Sequence, residues 1–211
     1  QYIKPKTATS VYLAGKLENL GLLHEISLDA NERVFIAPFG MNKIPQYFSR
    51  SIRVLTNALV NRISQKKKGW EVFTDAGSFL SSSVVLTMPI AQVEILLRKS
   101  ELESFNLPKV DYLDFHTCTF ISDKHSIGDI ISKNESFPWI CNNSKKGLRN
   151  TVDAFTANVN KNITQRLKDL STEQKLEIVE GLLNSSGFEK IKGLNVHYWR
   201  YAFADNQDNP C

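Results

Sequence analysis

The residues best able to do chemistry in this chain are four histidines, three cysteines and an aromatic stretch, Val196-His197-Tyr198-Trp199-Arg200-Tyr201. His24, His116, His125 and His197 are scattered. No H-E-x-x-H pair, G-x-S-x-G elbow or Walker loop accompanies them. His116 stands two residues before Cys118, so a strand would put both on one face. Without a third partner that pair reads as packing and not as a nucleophile with its base. A self-sufficient hydrolase is not expected, and no residue is singled out as acid, base or nucleophile. In the aromatic stretch the planar cation Arg200 lies between Trp199 and Tyr201 and could stack on a flat ligand. The plainer reading is a core strand with a snorkelling arginine. The turn Ala37-Pro38-Phe39-Gly40-Met41 adds a glycine at which the backbone can approach another molecule closely.

The elements that must position these residues follow from hydrophobic period and turn chemistry. The run Ser83-Val84-Val85-Leu86-Thr87-Met88-Pro89 has no alternating charge and reads as a short strand buried on both faces, stopped by the proline. Upstream, 58–65 and 69–74 read as strands joined by a solvated turn at Lys66-Lys67-Lys68, so a β-meander feeds the buried strand. Ile52 to Leu55 extends that sheet. Ser10 is expected to cap a helix running to Leu23, Asn42 a second carrying Ile44, Tyr47 and Phe48, and Ser171 with Gln174 a third through a capping box. Residues 91–98 form a helix that turns Val93, Leu96 and Leu97 inward. Strands are expected at 33–36, 110–121, 139–140, 151–159 and 194–203, and 122–133 reads as a loop or short helix.

Whole-chain composition narrows the function classes. At 211 residues, with 42% hydrophobic and 23% charged content, the chain can bury a globular core. The net charge of +4 has no dominant basic run and no aromatic platform beside Lys66 to Lys68, so nucleic acid is not an expected partner. Cys118, Cys141 and Cys211 form no C-x-x-C pair, which points to a reducing, cytoplasmic setting and away from a zinc ribbon; no metal is expected. Asn134, Asn142, Asn162 and Asn184 start N-x-Ser/Thr triplets, but no signal peptide gives them meaning. No apolar run is long enough to span a bilayer, so no membrane partner is expected.

Gln1-Tyr2-Ile3, Phe35 through Gly40, Val60 through Ile63, Trp70-Glu71-Val72, Val85-Leu86-Thr87-Met88-Pro89 and Trp199-Arg200-Tyr201, in that order and spacing, resemble the renalase group of flavin-dependent oxidoreductases. The likeness is strongest up to Leu97 and from Thr151 onward, and weakest over 111–150. It implies an α+β fold: a mixed-sheet substrate domain with flanking helices, plus part of a Rossmann-like FAD-binding domain. The expected organisation is 1–97, substrate-domain elements interleaved with the meander of the FAD-binding domain, and 98–211, the substrate-binding domain.

The implied activity is FAD-dependent oxidation of isomeric dihydronicotinamide dinucleotides, with dioxygen as acceptor and hydrogen peroxide as product. A small amine is the rival substrate. The flavin would supply the hard chemistry. Carried over by position, Val60 would meet the adenine of FAD, and Thr87, Met88 and Pro89 its ribose and phosphates. Gln1, Tyr2, Pro38, Phe39, Gly40 and Met41 would approach the flavin ring or the substrate, and Trp199 and Arg200 would wall the far side of the pocket. The glycine-rich pyrophosphate turn would precede Gln1 and the segment closing over FAD would follow Cys211. The stretch by itself is therefore expected to hold FAD poorly, and a non-catalytic binding module is the reading of a different class.

Overall fold

The computed structural model describes residues 2–29, 32–102, 105–126, 131–146 and 152–205. The chain divides into two compact units, one made of 1–51 and 114–200, the other of 52–113 and 201–211. The division thus interleaves stretches of chain.

The first unit opens with Tyr2 and Ile3, and Ile3 bridges Phe35 in antiparallel sense. Thr7 begins helix α1 (Ala8–Asn19) by accepting from the Ser10 amide while the Ser10 hydroxyl accepts from the Thr7 amide. Ser10 is therefore the third helical residue and not the expected cap, and the helix stops at Asn19, before Leu23. Strands β1 (His24–Asp29) and β2 (Glu32–Ile36) form an antiparallel pair. Ala14 and Leu17 of α1 pack with Leu23, Phe35 and Ala37 into a small core. After the turn, Asn42 precedes α2 (Lys43–Phe48) but makes no side-chain capping bond.

The second unit is built on a three-stranded meander, β3 (Val60–Lys66), β4 (Gly69–Thr74) and β5 (Gly77–Ser81), all antiparallel. Helix α3 (Ile90–Lys99) lays Val93, Leu96 and Leu97 against Ile63, as the sequence pattern predicts. Two expectations fail here. Ile52 to Leu55 forms no strand, and neither does Ser83 to Pro89, where Val85 is 84% exposed. A doubly buried strand needs neighbours to complete its ladder and to cover both faces. Among the described residues none pairs with this run, and the third strand of the meander is the less apolar Gly77–Ser81.

The rest of the first unit is a five-stranded sheet with two helices. Its strands are β6 (Tyr112–His125), β7 (Ile131–Ser132), β8 (Trp139–Asn142), β9 (Ala154–Asn158) and β10 (Phe188–Ala204), in the order β10-β6-β9-β8-β7. β6 and β10 are long and their first or last residues belong to the second unit. β6 runs to His125, past the loop expected from Ser122; residues 127–130 lie outside the described set. Lys124 meets Glu189 and Asp114 meets Tyr198, so β6 and β10 run in opposite directions.

One face of this sheet turns Cys118, Phe120, Ile140, Phe155 and Ala157 into the main core. Helices α4 (Lys161–Leu167) and α5 (Thr172–Ser185) cover it with Leu167, Val179 and Leu183, each fully buried. Burying one such side chain contributes about 1.5–3 kcal/mol. The reciprocal Ser171–Gln174 capping box starts α5 as expected.

Candidate functional site

Because side chains alternate along a strand, the opposite face of the same sheet is set by the residues between the core positions. Asn158 of β9 pairs with both Trp139 of β8 and Thr117 of β6, so these three stand in one row across the sheet. The Thr117 hydroxyl donates to Asn158 Oδ1 at 3.0 Å. At one end of the row the Tyr2 ring lies 6.3 Å from Trp139, and Lys4 Nζ is 5.6 Å from the centre of the Tyr2 ring. The Ile3–Phe35 bridge sets Tyr2 beside the end of β2, from which the chain leads directly into the 37–41 turn. In that turn Gly40 has φ +94°, and an added Cβ would lie 2.9 Å from Asn42 Oδ1, so glycine is the residue that fits. Phe39 is 70% exposed, while Pro38, Gly40 and Met41 are half-buried and Met41 packs on the small core. On β10 the His197 and Trp199 rings meet edge to face at 4.6 Å, and both side chains are exposed.

The two sides of β10 separate residues that the sequence joined. Arg200 follows Trp199 and so points to the other face, the side of Tyr198. There Asp114 accepts from the Tyr198 hydroxyl, from Lys168 Nζ and from Gln165 Nε2. Burial pushes the Asp114 carboxyl up, but the hydrogen bonds from Lys168 and Tyr198 outweigh it and hold it below its ordinary value. His116 stacks 4.9 Å from the Tyr198 ring, fully buried, with neither ring nitrogen hydrogen-bonded among the described residues. Burial, helped by the charge of Lys175, pushes it down to about 4, so it is neutral at pH 7. Cys118 is buried and pushed up to about 12, so it is a thiol and no nucleophile. This network braces the helices.

Trp199, Tyr2 and the 37–41 turn thus belong to the first unit, and Gln1 lies outside the described residues. Val60, Thr87, Met88 and Pro89 belong to the second. Val60 and Met88 pack beside the Ile63 core, and Thr87 is exposed. Pro89 caps α3, where the Ile90 amide donates to Tyr112 Oη at 2.9 Å and the Gln92 and Val93 amides donate to the Pro89 carbonyl. Sequence reasoning missed Trp139, Thr117, Asn158 and His197 as members of one surface. The alternation of polar and core residues along 115–121 was a signal for Thr117, whereas the row itself depends on register.

The solved structures similar to this chain include two assigned as oxidases. A protein assigned as a protoporphyrinogen oxidase from Exiguobacterium sp. 255-15 matches with a TM-score of 0.57 and 16% identity, over 82% of this chain and 41% of that one. A putrescine oxidase redesigned in its cofactor binding matches with a TM-score of 0.50 and 16% identity, over 75% of this chain and 37% of that one. The chain therefore spans about two fifths of the length of these structures. No protein-family model and no curated protein matches it. The likeness shows the fold, an α+β arrangement shared with part of these oxidases. Among the described residues no helix is long and apolar enough to cross a membrane, and no cluster of His, Cys, Asp or Glu could hold a metal ion.

Proposed function

We propose that this chain is the substrate-facing part of an FAD-dependent oxidoreductase, with a small flat molecule, a reduced nicotinamide nucleotide, as substrate and dioxygen as acceptor. The observation that carries this reading is the sheet face bearing Tyr2, Trp139 and Trp199, in a fold shared with part of two oxidases. Rows of aromatic side chains on one face of a rigid sheet suit the stacking of planar rings. The residues present fit FAD at its ring end. They offer no full cradle for its pyrophosphate at α3, because the Ile90, Gln92 and Val93 amides already have partners.

The first unit's sheet face would hold the ring end of FAD. When bound, the flavin supplies the acceptance of a hydride and its passage to dioxygen. The chain's own residues orient and exclude. Trp139 would hold the substrate ring flat, Trp199 would wall the face at β10, and Gly40 would let the 37–41 backbone come close to the substrate. No side chain need act as acid or base, which agrees with buried neutral His116 and the un-ionised Cys118 thiol.

Titrated with FAD, the purified protein is expected to bind it weakly, shifting the flavin absorbance, and dihydronicotinamide is expected to bleach that flavin and air to restore it. Bound flavin that only amines bleach would replace the nucleotide by an amine. A protein that never binds flavin would be a binding module of this fold and would overturn the proposal.

A further inference from the structure

We infer that Asn158 is the residue that selects the substrate, by donating from its side-chain amide to a carbonyl oxygen on a neutral planar ring. The inference rests on the proposed function and names the residue that would read the substrate's carboxamide. Asn158 follows Ala157, which is fully buried in the main core, so its own side chain stands on the open face. An asparagine amide can present either an acceptor or two donors to a ligand. Here the choice is made by a neighbour. The Thr117 hydroxyl donates to Oδ1 at 3.0 Å, which fixes the amide and leaves Nδ2 as the group on offer. Trp139 stands next to it in the same row, so a ring lying on that indole would bring a substituent to Nδ2.

The charge on this face supports a neutral ligand. A cationic amine calls for a carboxylate or a closed aromatic cage. From Phe115 to Ile121 of β6, in β8 and β9, and from Asn195 to Trp199 of β10, the positions that alternate with the core carry no acidic residue. Asp114, which precedes this stretch of β6, is turned to the other face and engaged by Lys168 and Tyr198. A neutral amide donor reads a carbonyl and gives an ammonium nothing. Sites built to hydrogen-bond a substrate group discriminate strongly, because the analogue leaves a buried donor unpaired.

The test is equilibrium binding followed by quenching of tryptophan fluorescence, since Trp139 stands beside Asn158 in the row, with reduced nicotinamide mononucleotide and putrescine as probes. Wild type should prefer the nicotinamide. Asn158→Asp, which removes the donor at almost constant shape, should weaken nicotinamide binding about tenfold or more and strengthen putrescine binding. Thr117→Val should weaken nicotinamide binding by a smaller factor while leaving putrescine unchanged, since the amide keeps its donor but loses its anchor. Circular dichroism checks that each variant folds. Wild-type affinity retained in both variants would overturn the role of Asn158 while leaving the proposed function standing. Wild type that binds putrescine in preference to the nicotinamide would overturn both.

Discussion

Three donors converge on Asp114, and its contribution should be visible in the pH dependence of stability. Its carboxyl is held below the ordinary value in the folded state, against the pull of burial, by Lys168 and Tyr198. The stabilisation is therefore complete above the unfolded value of about 4 and is lost as pH falls through the depressed folded value. Asp114→Asn should cost about 1–3 kcal/mol at pH 7 in urea unfolding, and the gap should close in acid. His116 works in the same direction for a different reason. Burial lowers it to about 4, so the folded state resists a proton that the unfolded chain accepts near 6.5, and stability falls as pH drops from 6.5 toward 4. His116→Leu should flatten that slope, gaining about 1–2 kcal/mol over wild type at pH 5, because an unpaired buried imidazole is replaced by an apolar group. An unchanged slope in the variant would show that this histidine is solvated. At this scale the sequence disclosed identity but not company. Trp199 and the 37–41 turn stood out by residue type, whereas Thr117, Trp139 and Asn158 are ordinary strand residues 19 to 41 positions apart, made neighbours by register alone.

The legible elements were those whose own residues carry both period and punctuation. α5 has a capping box and an apolar stripe, α3 has a proline before it and three inward residues, and both stand where the pattern puts them. Ser171→Ala should cost about 1 kcal/mol, read as a shift of the urea midpoint, since Ser171 answers the Gln174 amide at 3.3 Å. The illegible elements lean on other parts of the chain. α4 is seven residues long and is started by Asn160 accepting from the Ile163 amide, too short to show a period. β1 is polar in composition and exists through its pairing with β2. Ser83 to Thr87 looked like the best strand and forms none, because apolar composition cannot supply a ladder partner. The meander hinges on one backbone detail. Gly69 has φ +141°, and a Cβ there would come within 2.2 Å of the Ser81 carbonyl oxygen. Gly69→Ala should therefore destabilise the β4–β5 pair by more than about 1 kcal/mol, measured by urea unfolding followed through Trp70 fluorescence. Full tolerance of the alanine would mean that the two strands part easily.

Separate cores in the two units imply that the molecule does not lose its structure evenly. In the first unit, Phe120, Phe155, Leu183 and Phe188 bury together, whereas the second depends on Ile63, Val93, Leu96 and Leu97. The smaller set has less apolar area to oppose the chain entropy of ordering its unit, so it should open first. Leu96→Ala should cost about 2–5 kcal/mol within that set. Native-state hydrogen exchange should then show β3, β4 and α3 losing protection while β9 and α5 keep theirs. β6 reports on the boundary directly, because Tyr112 and Leu113 belong to the second unit and Asp114 onward to the first. Protection along that single strand should step near Leu113 in the variant. A uniform loss along β6, with β9 and α5 falling in parallel, would mean that the two cores unfold as one and that the long strands transmit the damage.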